Sequence, residues 1–149
     1  MTQLLVVVLV VLATVAVAVA SRRFGAVAGP TQSGFTVPSQ LDRSDFDHPT
    51  RPWLVTVFSS ATCGSCAGVA ERAAALDSDA VAVAVVPVHE FGELHTKYRI
   101  DGVPTTLIAD AEGTVVGSFL GPVGATELWD AVAQVRDDSP GAADSGREG

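Results

Sequence analysis

Hydrophobic positions follow different periods in different parts of this chain, and each change of period marks a change of element. Residues 4–20 are apolar at every position except Thr14, with no polar face. That run sits at the lower limit for crossing a bilayer, which takes roughly 17–25 residues. Residues 24–40 then turn to Gly, Pro, Ser, Thr and Gln with few apolar anchors, the composition of a tether. Within it, residues 35–37 read as a short first strand, and residues 39–46 as a short helix capped by Ser39 or Asp42. Two prolines make residues 48–52 a connection.

From Trp53 the pattern becomes that of a folded domain. Trp53–Ser59 is an apolar, β-branched run and predicts a buried strand. Over residues 64–76, Cys66, Val69, Ala70, Ala73 and Leu76 recur at spacings of three and four, which draws one apolar stripe on a helix. Residues 80–86 are continuously apolar, as in a strand covered on both faces. A short helix is expected over 90–98, closed by residues 99–102. Thr105–Ala109 and residues 114–120 predict a hairpin around the turn 110–113. Thr126 is placed to cap a last helix whose inner side holds Leu128, Trp129, Val132 and Val135. Beyond Asp137 the composition is that of a disordered tail. Strands alternating with helices and closing in a hairpin predict an α/β domain, a mixed sheet with helices on both faces. The expected organisation is a transmembrane anchor at 1–23, a linker at 24–34, the domain at 35–136 and the tail at 137–149.

The first apolar run has three readings. A cleaved signal peptide lacks its basic leader here but has the small residues Ala18 and Ala20 before Ser21. A buried core helix wants a polar face that the run does not offer. A retained single-span anchor fits best, giving a cell-membrane protein. Arg22 and Arg23 follow the run directly, and the retention of positive residues on the inner side favours a cytoplasmic domain.

Charge and cysteine usage narrow the chemistry. A formal net charge of −8 speaks against nucleic acid, which wants clustered Lys and Arg. The chain has two cysteines, and both lie in Cys63-Gly-Ser-Cys66, so no structural disulfide stands elsewhere. The pair falls where a buried strand turns into a helix. A thiol at a helix N-terminus loses its proton more easily, and the thiolate is the form that attacks a disulfide. Cys66 is one turn on, within reach of a ring closure. Thr62 and Ser65 are candidates for tuning the thiol by hydrogen bonding, or simply fillers.

The element order, with this motif opening the helix and Gly102-Val-Pro-Thr105 preceding a later strand, resembles the thioredoxin-like superfamily over residues 35–136. The resemblance implies that Cys63 is the attacking thiol and Cys66 the resolving one. It implies a cis bond before Pro104, with the Val103 backbone pairing with an extended substrate segment. Thr62, Gly64, Ser65, Thr105 and Gly121 would complete the substrate groove. Protein thiol or disulfide clients and an electron donor would be the partners, and no cofactor is implied. The chain departs from the family pattern in having Ser65 in place of a proline and Thr62 in place of a tryptophan. It has Val57 in place of a buried aspartate six residues before the first cysteine, and a residue near Val85 in place of a lysine. Those departures predict a working redox pair without full reductase speed. Two other classes stay open: a binding module with little turnover, and a metal carrier. For the latter, thiolates suit soft copper, and C-x2-C with His89 and His95 gives a zinc-like spacing, though 22 residues separate the pairs. The histidines, with Glu71, Arg72 and Glu93, are otherwise expected on the surface. Trp53 and Trp129 are expected at the core or its edge, and Asp45 and Asp47 without a catalytic partner.

Overall fold

A computed structural model describes residues 27–28 and 36–138. Strand β1 is Val27–Ala28, and a 3-10 turn covers Arg43–Asp45. Strand β2 is Trp53–Ser59 and helix α1 is Cys66–Ala74. Strand β3 is Val81–Pro87 and helix α2 is Gly92–Lys97. The hairpin is β4, Thr105–Ala109, with β5, Val115–Leu120, and helix α3 is Ala125–Asp137. The sheet order is β1-β5-β4-β2-β3. β2 runs parallel to β3 and antiparallel to β4, β4 is antiparallel to β5, and β1 lies parallel to β5. The expected mixed sheet with helices on both faces is present.

Alternation along the strands divides the core in two. Val55, Val57, Val81, Ile108 and Phe119 face α1 and α3, where they meet Val69, Ala73, Leu128 and Val132. Leu54, Phe58, Ala82, Val86 and Leu107 face the other way, toward Leu41, Phe46 and Tyr98, with Leu94 of α2 beside them. Both layers are fully buried at their centres. At about 25 cal/mol per Å2, each Leu, Val or Phe buried there adds roughly 1.5–3 kcal/mol before entropy is counted.

The β4–β5 turn ties the 3-10 segment to the sheet. The Asp110 carboxylate accepts from the backbone N–H groups of Glu112 (3.1 Å) and Thr114 (2.8 Å). Gly113 sits at φ +83, and a Cβ there would lie 2.0 Å from the Leu41 carbonyl, so this turn requires glycine.

Several expectations change. The first strand is Val27–Ala28, inside the segment read as linker, while Thr36 and Val37 are outside any strand. Only Arg43–Asp45 of the 39–46 segment is helical; Asp42 caps it, its carboxylate accepting from Ser44 N–H at 3.0 Å. β3 lies at a sheet edge and leaves Val85 exposed, so it is not covered on both faces. Gly124 caps α3, and Thr126 falls inside its first turn. Trp129 is 44% exposed, its indole N–H donating to the Arg72 carbonyl at 3.1 Å, while Trp53 is half-buried at the core edge as expected. Among the described residues no helix is long and apolar enough to cross a membrane; residues 4–20 lie outside them.

Candidate functional site

The end of β2 carries the site. Phe58 pairs with Thr105, and Thr105 pairs with Leu120. This one row of the sheet therefore sets three chain segments at one end: the exit of β2 toward the cysteines, the loop entering β4, and the loop leaving β5. Parallel β3 ends at the same side, where Val88 N–H donates to Ser59 O at 2.9 Å.

After Ser59 the chain turns twice before it coils. Cys63 N–H donates to Ser60 O at 3.2 Å, and Cys66 N–H donates to Cys63 O at 3.4 Å. Helix α1 starts at Cys66, two residues later than its periodicity predicts, with Ser65 as its N-cap. Cys63 therefore lies in the turn ahead of the helix and not in its first turn. Cys66 opens the buried stripe that continues through Val69 and Ala73. The local sequence explains the late start: Gly64 is a poor helix former and Ser65 favours a cap position.

Cys63 and Cys66 are joined in a disulfide, with their Cα atoms 5.4 Å apart. Their environments differ. Cys66 is 3% exposed, whereas Cys63 is half-buried at the surface. The Ser65 hydroxyl lies 3.8 Å from Cys63 Sγ. The Thr62 hydroxyl is taken by Ser60 Oγ at 3.1 Å, so of the two candidate tuning residues the structure brings Ser65 to the sulfur. Gly64 is exposed, and a Cβ at this position would meet open space.

The bond between Val103 and Pro104 is cis. Pro104 is buried, its carbonyl accepting from Gly121 N–H at 2.8 Å, which joins the β4 and β5 loops. Gly121 adopts φ +90, a conformation that suits glycine. Thr105 turns its hydroxyl back to the Gly102 carbonyl at 2.7 Å and closes the loop on itself. Val103 is half-buried against the Phe58 layer. Of the residues singled out in the sequence, Thr62 through Cys66, Val103 through Thr105, and Gly121 all lie at this one end of the sheet.

The missing acid is visible in the register. Val57, where the family pattern has an aspartate, is fully buried and pairs directly with Val85. That row holds no charged pair. Nor do the zinc-like residues converge. His95 is buried, correcting its surface reading: Nε2 is 2.8 Å from Val86 O, and the ring meets Phe58 edge-on. His89 is exposed beside Glu90. Among the described residues no group of three His, Cys, Asp or Glu is placed to hold a metal ion. Arg72 also leaves its expected solvated face, since Nη1 donates to Val123 O at 3.2 Å.

No family model and no curated protein matches the chain. Solved structures do. Chloroplastic thioredoxin z superposes with a TM-score of 0.54 at 20% identity, over 69% of this chain and 97% of that one. A malarial protein gives 0.51 at 15% identity, over 56% and 97%. The oxidised mitochondrial thioredoxin 3 of Saccharomyces cerevisiae gives 0.49 at 19% identity, over 58% and 81%. At their identities the two superpositions above 0.5 concern the fold.

Proposed function

We propose that this chain, thioredoxin-like in fold and in the place of its cysteine pair, is a thiol–disulfide oxidoreductase acting on protein partners. The observation that carries the reading is the unequal burial of two bonded cysteines at the end of β2, beside a cis-proline loop. In the reducing direction the Cys63 thiolate attacks a partner disulfide. One partner sulfur leaves as thiolate and a mixed disulfide forms. Cys66 then loses its proton and attacks Cys63 Sγ, releasing the second partner sulfur. Two electrons pass to the partner, and the Cys63–Cys66 bond of this structure is the product. An electron donor must reopen it.

The Val103 backbone and the Gly121 turn serve as the edge on which an extended partner segment lies, with Thr62, Gly64, Ser65 and Thr105 around it. The Ser65 hydroxyl donates to the Cys63 thiolate and lowers its pKa, in the place where a helix N-terminal position was expected to do so. Residues 4–20 hold the protein in a membrane, and Arg22 and Arg23 favour a cytoplasmic domain.

Reduction of insulin by the full chain with dithiothreitol as donor tests the activity, with Cys63→Ala beside it. Turnover that disappears in the variant is expected; equal rates would leave a binding module as the better reading. The buried Val57 favours that second reading, because no carboxylate stands there to accept the Cys66 proton. A topology reporter fused after Gly149 tests the side of the membrane, and an outward signal would reverse it.

A further inference from the structure

The two borders of the sheet are finished differently. β5 is flanked by β1, with Val27 against Gly117 and Ala28 against Ser118. β3 forms the other border, and no described strand pairs with its outer side. The hydrogen bonds at its two ends fix which backbone groups face outward. Trp53 N–H donates to Ala80 O at 3.0 Å, and Val88 N–H donates to Ser59 O at 2.9 Å. In a parallel ladder that alternation commits the even-numbered residues of β3 to β2. Val81, Val83, Val85 and Pro87 therefore turn their backbone groups outward. Both ends of this row are already closed. Val81 exchanges bonds with Ser78 at 3.2 and 3.0 Å. Pro87 has no N–H, and its carbonyl accepts from Glu90 at 3.1 Å and Phe91 at 2.9 Å. Among the described residues, Val83 and Val85 are left with two open N–H groups and two open carbonyls.

We infer that this window is a docking edge for a second copy of the chain, β3 against β3, antiparallel and centred on Ala84. The inference stands apart from the oxidoreductase reading. In that register Val83 faces Val85 of the second copy, and Val85 faces its Val83. Each couple exchanges two N–H···O bonds, so all four open groups on each copy are satisfied. Val81 falls opposite Pro87, and closed ends meet closed ends. Ala84 meets its own copy on the two-fold axis, with no charge to repel it. The edge is thus complementary to itself, as a two-fold interface requires. Edge strands are commonly blunted by Lys, inward-pointing charges or bulges. β3 carries no charged residue, and Val85 is 41% exposed.

Segments of the same chain fit the edge less well. Ala28 lies on β5, and Ser39 O accepts from Val115 N–H, so the described neighbours of residues 29–35 are held on the β5 side. Residues 139–149 contain no Val, Ile, Thr, Phe, Tyr or Trp, the residues that favour strands. β3 and β2 end at the same side of the sheet, so antiparallel docking points the two cysteine pairs away from each other.

Amide hydrogen exchange in the wild-type full-length protein, held in mild detergent, tests the window without any substitution. A contact this small implies a Kd on the order of 0.1 mM, so Val83 and Val85 should exchange about fourfold more slowly at ~1 mM than at ~10 µM. Ala82 and Ala84, bonded to β2, should be slow at both. Val85→Pro removes an outward donor without costing a bond to β2, and should abolish the concentration dependence of the sedimenting mass. Trp129→Lys, which removes an exposed apolar side chain elsewhere, should leave it unchanged. Register is read by oxidation with diamide in a Cys63→Ala, Cys66→Ala background. Ala84→Cys should cross-link, because directly opposed Cα atoms lie about 4.5 Å apart, within disulfide range. Val83→Cys and Val85→Cys should cross-link at least about fivefold less, because each meets its copy on a diagonal of about 7–8 Å. Val83 and Val85 amides that stay fast at the higher concentration overturn the inference. So do amides slow at every dilution, which would mean that the chain covers its own edge. Association that survives Val85→Pro, that falls equally with Trp129→Lys, or that cross-links better through position 83 or 85 than through 84 overturns it as well.

Discussion

The two faces of the sheet treat polar groups in opposite ways. On the face turned to α2, buried polar side chains are numerous and mostly bonded. Arg43, 8% exposed, donates through Nη1 to Asp110 O at 2.7 Å and through Nη2 to Arg51 O at 2.8 Å. Tyr98 accepts from Asp42 N–H at 2.9 Å and donates to the Asp45 carboxylate, which Lys97 also reaches at 2.7 Å. His95 is held by Val86 O. The face turned to α1 and α3 carries the cysteine helix over an aliphatic layer. Polarity thus serves structure on one side, while the redox pair sits over the drier side. A sulfur in a dry layer is shielded from water and side reactions, and each polar group close to it counts for more because little solvent screens it.

The largest way to break this contrast is to empty the dry layer. Leu128→Ala should cost about 2–5 kcal/mol in chemical denaturation, and Cys63 alkylation in the surviving folded fraction should keep its rate. Next comes the latch on the wet face. Arg43→Met removes the donor to the Asp110, Arg51 and His48 carbonyls and should cost at least about 2 kcal/mol, from roughly 1–3 kcal/mol for each buried group left unpaired. A loss under about half a kcal/mol would mean that the guanidinium is not holding these loops.

Tyr98→Phe should cost about 1–2 kcal/mol by the same reasoning. The tyrosine adds a pH signature. Burial first, and the bond to Asp45 second, push the Tyr98 phenol above its ordinary value. A group whose folded pKa is raised contributes fully below its unfolded value and loses that contribution as pH climbs through the folded one. Stability should therefore fall from about pH 10 upward, and Tyr98→Phe should flatten that fall in alkaline denaturation curves. The smallest effect belongs to the site: Ser65→Ala should slow Cys63 alkylation in the reduced protein only about two- to threefold, since one weak contact is lost. Alkylation rate against pH reads it, and an unchanged midpoint would make Ser65 a filler.

What the sequence made legible was local. Thr105–Ala109 occupies the predicted positions because alternation, turn residues and a proline before it agree. The cysteine motif was readable for the same reason, as strand, turn and helix each signal within a few residues. Long-range facts were not readable. The exposure of Val85 depends on β3 lying at an edge, which its apolar run cannot reveal. The burial of His95 depends on Val86 O and Phe58 being brought opposite it. Trp129 faces outward because its indole N–H finds a carbonyl on the neighbouring helix at the rim. That Val57 lies opposite a buried threonine, Thr106, appears only in the register.

The two-residue strand β1 has one more consequence. It docks on β5, so the chain enters the sheet at the border opposite β3. Three inter-strand steps of about 4.8 Å, or about 14 Å, then separate that entry from β2, the strand that delivers the cysteines. A contact made through β1 therefore sits three strands away from the one that carries the sulfurs into place.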